Sequence, residues 1–362
     1  MDSPAFSDGP WRKLPPWTIP APHGMFYRGA TDAPIDLFGP VVHSLGFSSD
    51  RSYLACGRSD GAVFVWRLNP PAIVGARNLG VVRGQVDCIR DVAVRKDGLI
   101  VAVSLAGYSA VLSLRNGEIV AAQGSSIRGD ARIANLFCDG RYAVIAGASG
   151  TIFLRDVLLG RERSLLRTDG VLDAGYMSPQ GRLLAVQSNS ALKIFLFDVL
   201  ENRLLASLVG NDLNRGSAYF SRDERQFVFI DLDEANIVYW RRGTSCTVTS
   251  PLPTYFQLGM VPCVALSPDG QLIALSLDPQ VAEIWATPRD GREMQRLGRV
   301  GELSASSRRA EISCLAFSPD SKFLAIGTVW GNVNLWDWRR TERIQLDTGS
   351  SAFQRSWRGP VI

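Results

Sequence analysis

One segment of this 362-residue chain recurs seven times, and this repeat restricts the possible fold more than any other feature. In each copy an apolar run ends in a large residue, a short polar stretch follows, and a second apolar run begins. We call the large residue the anchor; the anchors are Phe47, Val94, Leu136, Met177, Phe220, Leu266 and Phe317. They lie 41 to 51 residues apart, with a mean spacing of 45. An Asp follows three places after six anchors, and Gln180 replaces it in the fourth copy.

A second landmark lies 19 or 20 residues after each anchor, at the end of another apolar run. The seven positions are Trp66, Leu114, Arg155, Phe197, Trp240, Trp285 and Trp336. Two short apolar runs joined by Asp, Gly, Ser or Asn are typical of a β-hairpin. Seven hairpins at this period leave room for one further strand and a loop in each copy. The sequence therefore predicts an all-β fold, a seven-bladed β-propeller with four-stranded antiparallel blades.

The segments 317–337 (FSPDSKFLAIGTVWGNVNLWD) and 47–66 (FSSDRSYLACGRSDGAVFVW) resemble the repeats of the WD40 family. The resemblance spans about residues 41–347 and implies a ring that recognises other proteins. The chain also departs from the family. It lacks the Gly-His pair, keeps the Asp of the tight turn clearly only at Asp60, and has Trp-Asp only at Trp336-Asp337. We therefore expect an incomplete Asp-His-Ser-Trp hydrogen-bond network and blades stabilised mainly by apolar burial. Arg155 at a Trp position predicts that the third blade is the least regular.

Three regions follow from the repeat: an N-terminal arm (1–35), the propeller (36–347) and a C-terminal tail (348–362). The arm and the tail carry aromatic residues that are costly to leave in water, namely Trp11, Trp17, Phe353 and Trp357. The arm is rich in proline and either packs on its own propeller or inserts into a partner. Either 341–347 or 24–30 supplies the last blade's outer strand, and we favour the former.

Composition excludes several classes of protein. The net charge of +4 is too small to indicate nucleic-acid binding, although the chain has 35 Arg and only 4 Lys. Its six cysteines form no CxxC pair, and its N-terminus lacks the layout of a signal peptide. The uncharged, largely apolar stretch 98–114 is short for a membrane helix. We therefore expect a soluble protein of a reducing compartment, the cytoplasm.

The sequence offers little material for catalysis. It has two histidines, His23 and His43, and no motif of a nucleotide-binding loop, a metalloprotease or a serine hydrolase. No Cys or His residues have metal-ligand spacing, so we predict no enzyme, no metal and no cofactor. Asp231, Asp233 and Glu234 form a small acidic cluster, which we interpret as a solvated turn rather than a cation site.

Candidate binding residues fall in turns and linkers of one face of the ring, which we call the top face. Trp330 occupies the last hairpin turn and is the main hot-spot candidate, and Tyr108 holds the matching turn of the second repeat. Arginines in these turns and loops indicate an acidic or phosphorylated partner. They are Arg58, Arg128, Arg132, Arg215, Arg308 and Arg309.

Two short motifs suggest more specific contacts. Residues 336–339 (WDWR) resemble the WDxR signature of WD40 substrate receptors of cullin ubiquitin ligases, which implies an adaptor contact through Arg339. Arg241 and Arg242 resemble the arginine pair of phosphoinositide-binding propellers but lie on the wrong strand. The sequence thus predicts a non-enzymatic scaffold in a stable multiprotein complex, without a membrane span. The alternatives are a ligase substrate receptor and a ligand-binding or enzymatic propeller.

Overall fold

The computed structural model describes residues 41–344 apart from short gaps. These gaps are 80, 83–84, 87, 96, 105–107, 114–118, 124–130, 138–139, 148–149, 168–173, 189–192, 200, 202, 210–217, 232–233, 235, 244–246, 252–262, 288–293 and 302–310. Among the described residues, all regular structure is β-strand. No helix in this part of the chain could cross a membrane.

The strands form seven four-stranded antiparallel sheets, each built from four consecutive strands. Blade 1 has β1 (Val42–Phe47), β2 (Tyr53–Arg58), β3 (Ala62–Leu68) and β4 (Pro71–Asn78), and a small hairpin of β5 (Val81–Val82) and β6 (Gln85–Val86) follows. Blade 2 has β7 (Ile89–Val94), β8 (Leu99–Ser104), β9 (Ser109–Ser113) and β10 (Ile119–Gln123). Blade 3 has β11 (Ala131–Phe137), β12 (Tyr142–Gly147), β13 (Thr151–Asp156) and β14 (Arg161–Arg167). Blade 4 has β15 (Ala174–Met177), β16 (Leu183–Ser188), β17 (Lys193–Asp198) and β18 (Arg203–Val209). Blade 5 has β19 (Ala218–Phe220), β20 (Gln226–Asp231), β21 (Asn236–Arg241) and β22 (Thr247–Pro251). Blade 6 has β23 (Val264–Leu266), β24 (Leu272–Asp278), β25 (Val281–Ala286) and β26 (Gln295–Val300). Blade 7 has β27 (Ile312–Phe317), β28 (Phe323–Thr328), β29 (Val333–Asp337) and β30 (Glu342–Ile344).

The seven sheets form a closed ring, because the first strand of each blade packs against the first strands of the blades on either side. This confirms the predicted seven-bladed propeller. The last blade takes its outer strand β30 from the C-terminal side, as we favoured, and the competing segment 24–30 lies outside the described residues. Two contacts join blade 7 to blade 1. Ser313 Oγ donates to the Val42 carbonyl (2.7 Å), and Arg51 pairs with Asp320 (2.6 Å).

Apolar side chains fill the spaces between neighbouring blades. Alternation along a strand sends successive side chains to opposite faces of its sheet, so each inner strand contributes to two interfaces. Between blades 7 and 1, for example, Leu54 and Cys56 pack with Ala325 and Leu335, all of them buried. Burial of this kind is the main source of stability.

One residue of the turn after the first strand has a similar backbone conformation in every blade. This residue lies four places after the anchor and has a positive φ in all seven copies. These residues are Arg51, Gly98, Gly140, Gly181, Glu224, Gly270 and Ser321. In blades 1, 5, 6 and 7 a serine hydroxyl donates to the Asp two places on, and it accepts the backbone N–H five places on. We call the side of the ring with these turns, and with the turns after the third strands, the bottom face.

The fourth blade has Gln180 at the Asp position, and its turn receives a carboxylate from the next blade. Glu224 Oε1 accepts the Ser178 hydroxyl and the backbone N–H groups of Gln180 (3.1 Å) and Arg182 (3.3 Å). Glu224 is buried and has a φ of 56°, which is costly for a residue with a Cβ. A carboxylate from blade 5 thus replaces the missing Asp of blade 4.

The third blade is not the least regular, contrary to the expectation drawn from Arg155, because its two register shifts are matched by two in blade 1 and two in blade 2. Its four strands pair in order, and Arg155 is buried at 2% exposure. Arg155 Nε donates to Glu162 (3.0 Å), and its Nη1 donates to Ser109 of blade 2 (3.4 Å). A buried ion pair therefore occupies the place where other blades bury an aromatic ring.

The family's polar network is incomplete, as predicted. The Nε1 atoms of Trp285 and Trp336 are buried and have no hydrogen-bond partner. Asn334 lies two residues before Trp336 on the same strand face and is 1% exposed. Neither polar atom of its amide has a partner, and its cross-strand neighbour is Ile326. Apart from the strand pairing, the side chains of Asn334 and Trp336 thus contribute to blade 7 through packing.

Candidate functional site

Four adjacent blades share an irregularity in their innermost strands. The pairing of β1, β7, β11 and β27 with their second strands shifts by one residue, four places before the anchor. The bulged residues are His43, Arg90, Arg132 and Ser313. Blades 7, 1, 2 and 3 are consecutive around the ring, so the bulges form one arc beside the central axis. β-Bulges re-aim side chains and recur at functional sites.

The arc lies at the top-face end of these strands, beside the turns that join the second and third strands. Ser59 N donates to the Val41 carbonyl (2.8 Å), which links the turn of blade 1 to the start of β1. Ile89 pairs with Ser104 next to the turn of blade 2, and Ile312 pairs with Thr328 next to the turn of blade 7. These turns carry the sequence-predicted residues Arg58, Tyr108 and Trp330. The structure therefore brings those three candidates and Arg132 onto four adjacent blades.

Trp330 is exposed at the tip of the blade 7 turn, with 36% of its surface accessible. Two hydrogen bonds close this turn. Thr328 N donates to the Asn332 carbonyl (3.0 Å), and Asn332 N donates to Thr328 Oγ1 (3.1 Å). Gly331 has a φ of 79°, which a larger residue rarely adopts. The turn thus presents an indole on a rigid support, as binding hot spots require.

Tyr108 is half-buried in the turn of blade 2, which closes in the same way. Ser104 N donates to the Tyr108 carbonyl (2.8 Å), and Tyr108 N donates to Ser104 Oγ (3.1 Å). The two aromatic candidates therefore stand on equivalent turns of blades 7 and 2.

Arg58 is used within its own turn. Its guanidinium donates to both carboxylate oxygens of Asp60 (3.2 and 2.5 Å) and lies 4.9 Å from the ring centre of Phe64. Only 17% of its side chain is exposed. This arginine supports the fold of the turn, and its charge is balanced locally.

The bulge of blade 2 places a cation and a carboxylate side by side. Nη1 of Arg90 is buried without a hydrogen-bond partner. Asp91 accepts the backbone N–H groups of Val92 (2.9 Å) and Leu136 (2.7 Å), and burial raises the pKa of Asp91 to about 6. Asp91 therefore fastens blade 2 to blade 3.

The centre of the ring is partly filled by a tyrosine. Tyr219 of blade 5 donates its hydroxyl to the Leu315 carbonyl of blade 7 (3.2 Å), past the intervening blade 6. Burial raises the pKa of Tyr219 well above its usual value. This side chain occupies space that an enzymatic or ligand-binding propeller would use as a deep central pocket.

The WDxR segment lies on the bottom face, after β29. Trp338 is buried, and its Nε1 donates to the Ser321 carbonyl (2.8 Å). The exposed Arg339 stacks its guanidinium 5.2 Å from the indole centre, and Asp337 Oδ1 accepts its backbone N–H (3.2 Å). Arg242, by contrast, is bound to Asp198 (2.7 Å).

The remaining candidates fall largely outside the described residues. For Arg132 only the backbone, in β11, is described. Those outside are Arg128, Arg215, Arg308, Arg309, Trp11, Trp17, Phe353 and Trp357. Of the acidic cluster, Asp231 Oδ1 accepts the Glu234 backbone N–H (3.5 Å), and Asp233 is not described. The described residues contain no group of three or more side chains that could hold a metal ion.

Sequence reasoning missed the bulged residues His43, Arg90 and Ser313. The available signal was their constant place four residues before the anchor, where three of the seven copies carry His or Arg. A bulge itself leaves no mark in the apolar alternation of such short strands, so only the structure shows that these residues are displaced from the pairing.

A family model described as "WD domain, G-beta repeat" matches the chain at residues 37–67 and 299–337. These segments include most of the first three strands of blade 1 and of blade 7. No curated protein matches the chain.

Proposed function

Because the chain belongs to the WD40-repeat family, we propose that it is a non-enzymatic scaffold that binds a protein partner through the top-face arc of blades 7, 1, 2 and 3. WD40 propellers in general bind other proteins. The proposal rests on the position of Trp330, which is exposed at the top-face end of the four adjacent blades whose inner strands are bulged.

The arc carries aromatic groups of the kind that protein interfaces use. Trp330 offers a large apolar anchor on a hydrogen-bonded turn, and the half-buried Tyr108 stands on the equivalent turn of blade 2. A partner that places an apolar side chain against Trp330 uses this anchor. We further propose that the assembly is a stable multisubunit complex in a reducing, cytoplasmic compartment.

The test is affinity purification of the tagged full-length protein from its own cells, followed by quantitative mass spectrometry. Trp330→Ala should lower recovery of the main partner about 30-fold, since a central Trp contributes about 2 kcal/mol or more to such interfaces. Leu297→Ala is the control, because Leu297 is also an exposed apolar residue but lies on the outer strand of blade 6. Equal recovery with all three proteins would refute the role of the arc.

We also propose that the aromatic arm (1–35) and the tail (348–362) anchor the protein in its complex. Deleting residues 1–35 should remove at least one partner that Trp330→Ala retains. If the truncated protein keeps every partner and loses thermal stability instead, the arm packs on its own propeller.

A ligase substrate receptor is the second candidate, favoured by the exposed position of Arg339 over Trp338. It predicts co-purification of a cullin adaptor that is lost on Arg339→Ala and kept on Arg340→Ala. Absence of any cullin adaptor from the wild-type purification would exclude it.

A further inference from the structure

One turn on the bottom face has no net charge, but its arginines face solvent while its carboxylates are hydrogen-bonded within the fold. Residues 221–225 read SRDER, with two arginines and two acids. Asp223 Oδ1 accepts the Ser221 hydroxyl (2.6 Å) and the Arg225 backbone N–H (3.1 Å). Glu224 is buried in the turn of blade 4. Both carboxylates are therefore used to build the fold, and the arginines face solvent.

The backbone of this turn is fixed by blades on both sides. Arg222 N donates to the Pro268 carbonyl of blade 6 (3.2 Å), and the Arg222 carbonyl accepts Gln180 Nε2 of blade 4 (2.9 Å). The Arg222 side chain is exposed, and that of Arg225 is 79% exposed. The contact of Arg225 with Asp223 is long (3.9 Å) and in water, so it contributes little. The turn thus presents two cations from a rigid base.

In the adjacent turn of blade 4, carboxylates are again used within the fold while arginines are partly or largely exposed. Asp198 is fully buried and accepts Arg182 (2.9 Å) and Arg242 (2.7 Å). Glu201 contacts Arg182 (2.6 Å), and Arg203, 63% exposed, lies 3.2 Å from Glu201. The exposed part of this sector is therefore more basic than its composition indicates.

We propose that the bottom face of blades 4 and 5 binds an acidic segment of a partner protein, with Arg222 and Arg225 as the main contacts and Arg203 at the rim. Guanidinium groups bind carboxylates through two parallel hydrogen bonds, and a fixed backbone lowers the entropic cost of holding them in place. This surface is separate from the top-face arc. It lies on the opposite face of the ring from the arginines that the sequence analysis assigned to an acidic partner.

A protein segment fits this sector better than a nucleic acid or a membrane does. Glu201 and Asp223 are about half exposed between the arginines. A regular row of phosphates or a lipid surface would bring negative charge against both acids, whereas a peptide can place its carboxylates at selected positions.

The experiment measures binding of a fluorescein-labelled peptide of alternating Glu and Ser to the full-length protein at low ionic strength. The double variant R222E/R225E should lower the affinity at least about tenfold, because each reversal removes a charge-assisted contact and adds repulsion. R222K/R225K keeps the charge but loses the two parallel hydrogen bonds, so its affinity should lie between those of the wild type and R222E/R225E. Arg67→Glu with Arg340→Glu is the matched control, because both arginines are exposed on the same face at blades 1 and 7.

Each result decides the proposal. Loss with R222E/R225E, retention with the control pair, and an unchanged melting temperature support it. Equal loss with the control pair overturns it, since binding then follows net charge alone. Tighter binding of a DNA duplex or of phosphatidylserine vesicles than of the peptide also overturns it. Trp330→Ala should leave this binding unchanged, so failure here is distinguishable from failure of the top-face proposal.

Discussion

Two regions of each blade differ in how consistently their polar contacts recur from blade to blade. They are the turn after the first strand and the end of the third strand. The positive-φ residue of the turn is present in all seven blades. At the end of the third strand, Arg155 and Phe197 replace Trp, and the indole N–H groups of Trp285 and Trp336 lack an acceptor. In blades 1, 5, 6 and 7 the turn closes its hydrogen bonds within about five residues, so one blade's sequence suffices to build it there. A hydrogen-bond network that spans several strands is lost when any one of its residues changes. Burial of the aromatic side chain at the end of the third strand still stabilises the blade without that network.

The largest effect is expected at Arg155, where an ion pair stands in place of the aromatic side chain of other blades. Arg155→Met should lower the free energy of unfolding by about 3–5 kcal/mol, because it leaves the Glu162 carboxylate without its buried partner. Denaturant unfolding measures this change. The double variant Arg155→Met with Glu162→Met should recover most of the loss, since a buried ion pair and an apolar pair are close in stability. A double variant as unstable as the single one would show that the ion pair is not the cause.

Glu224 tests whether the turn can be built from two blades. Glu224→Ala should lower the free energy of unfolding by about 2–4 kcal/mol, because three donors of blade 4 lose their acceptor. Asp269→Ala is the matched control: it removes the equivalent acceptor of blade 6, which is exposed, and should cost about 1 kcal/mol.

A compensating pair of changes sharpens this test. Gln180→Asp restores the local acceptor of blade 4, and Glu224→Gly removes both the distant acceptor and the cost of the positive φ. The double variant should be within about 1 kcal/mol of the wild type in denaturant unfolding. A loss as large as that of Glu224→Ala would mean that the turn of blade 4 needs its neighbour for another reason.

The sequence predicted the fold well because the repeat is long and its two landmarks stay in phase. It also predicted the loss of the polar network, since the missing residue types are visible without a structure. It did not predict the partner of Ser178, because Glu224 lies 46 residues away and aligns with glycine in four of the other six blades. Part of the candidate arc could be predicted from the sequence. Trp330 and Tyr108 follow from turn positions, whereas the displacement of His43 and Arg90 depends on strand register.

The smallest expected effect concerns Asn334, on the strand that carries Trp336. Its amide is buried, and both polar atoms lack a partner, so it has lost its contacts with water without replacement. Asn334→Leu should therefore raise the free energy of unfolding by about 1–2 kcal/mol, measured by denaturant unfolding. Asn332→Leu in the exposed turn nearby is the control and should change stability by less than about 0.5 kcal/mol. If Asn334→Leu is destabilising, the amide of Asn334 has a polar role, and its side chain does not contribute through packing alone.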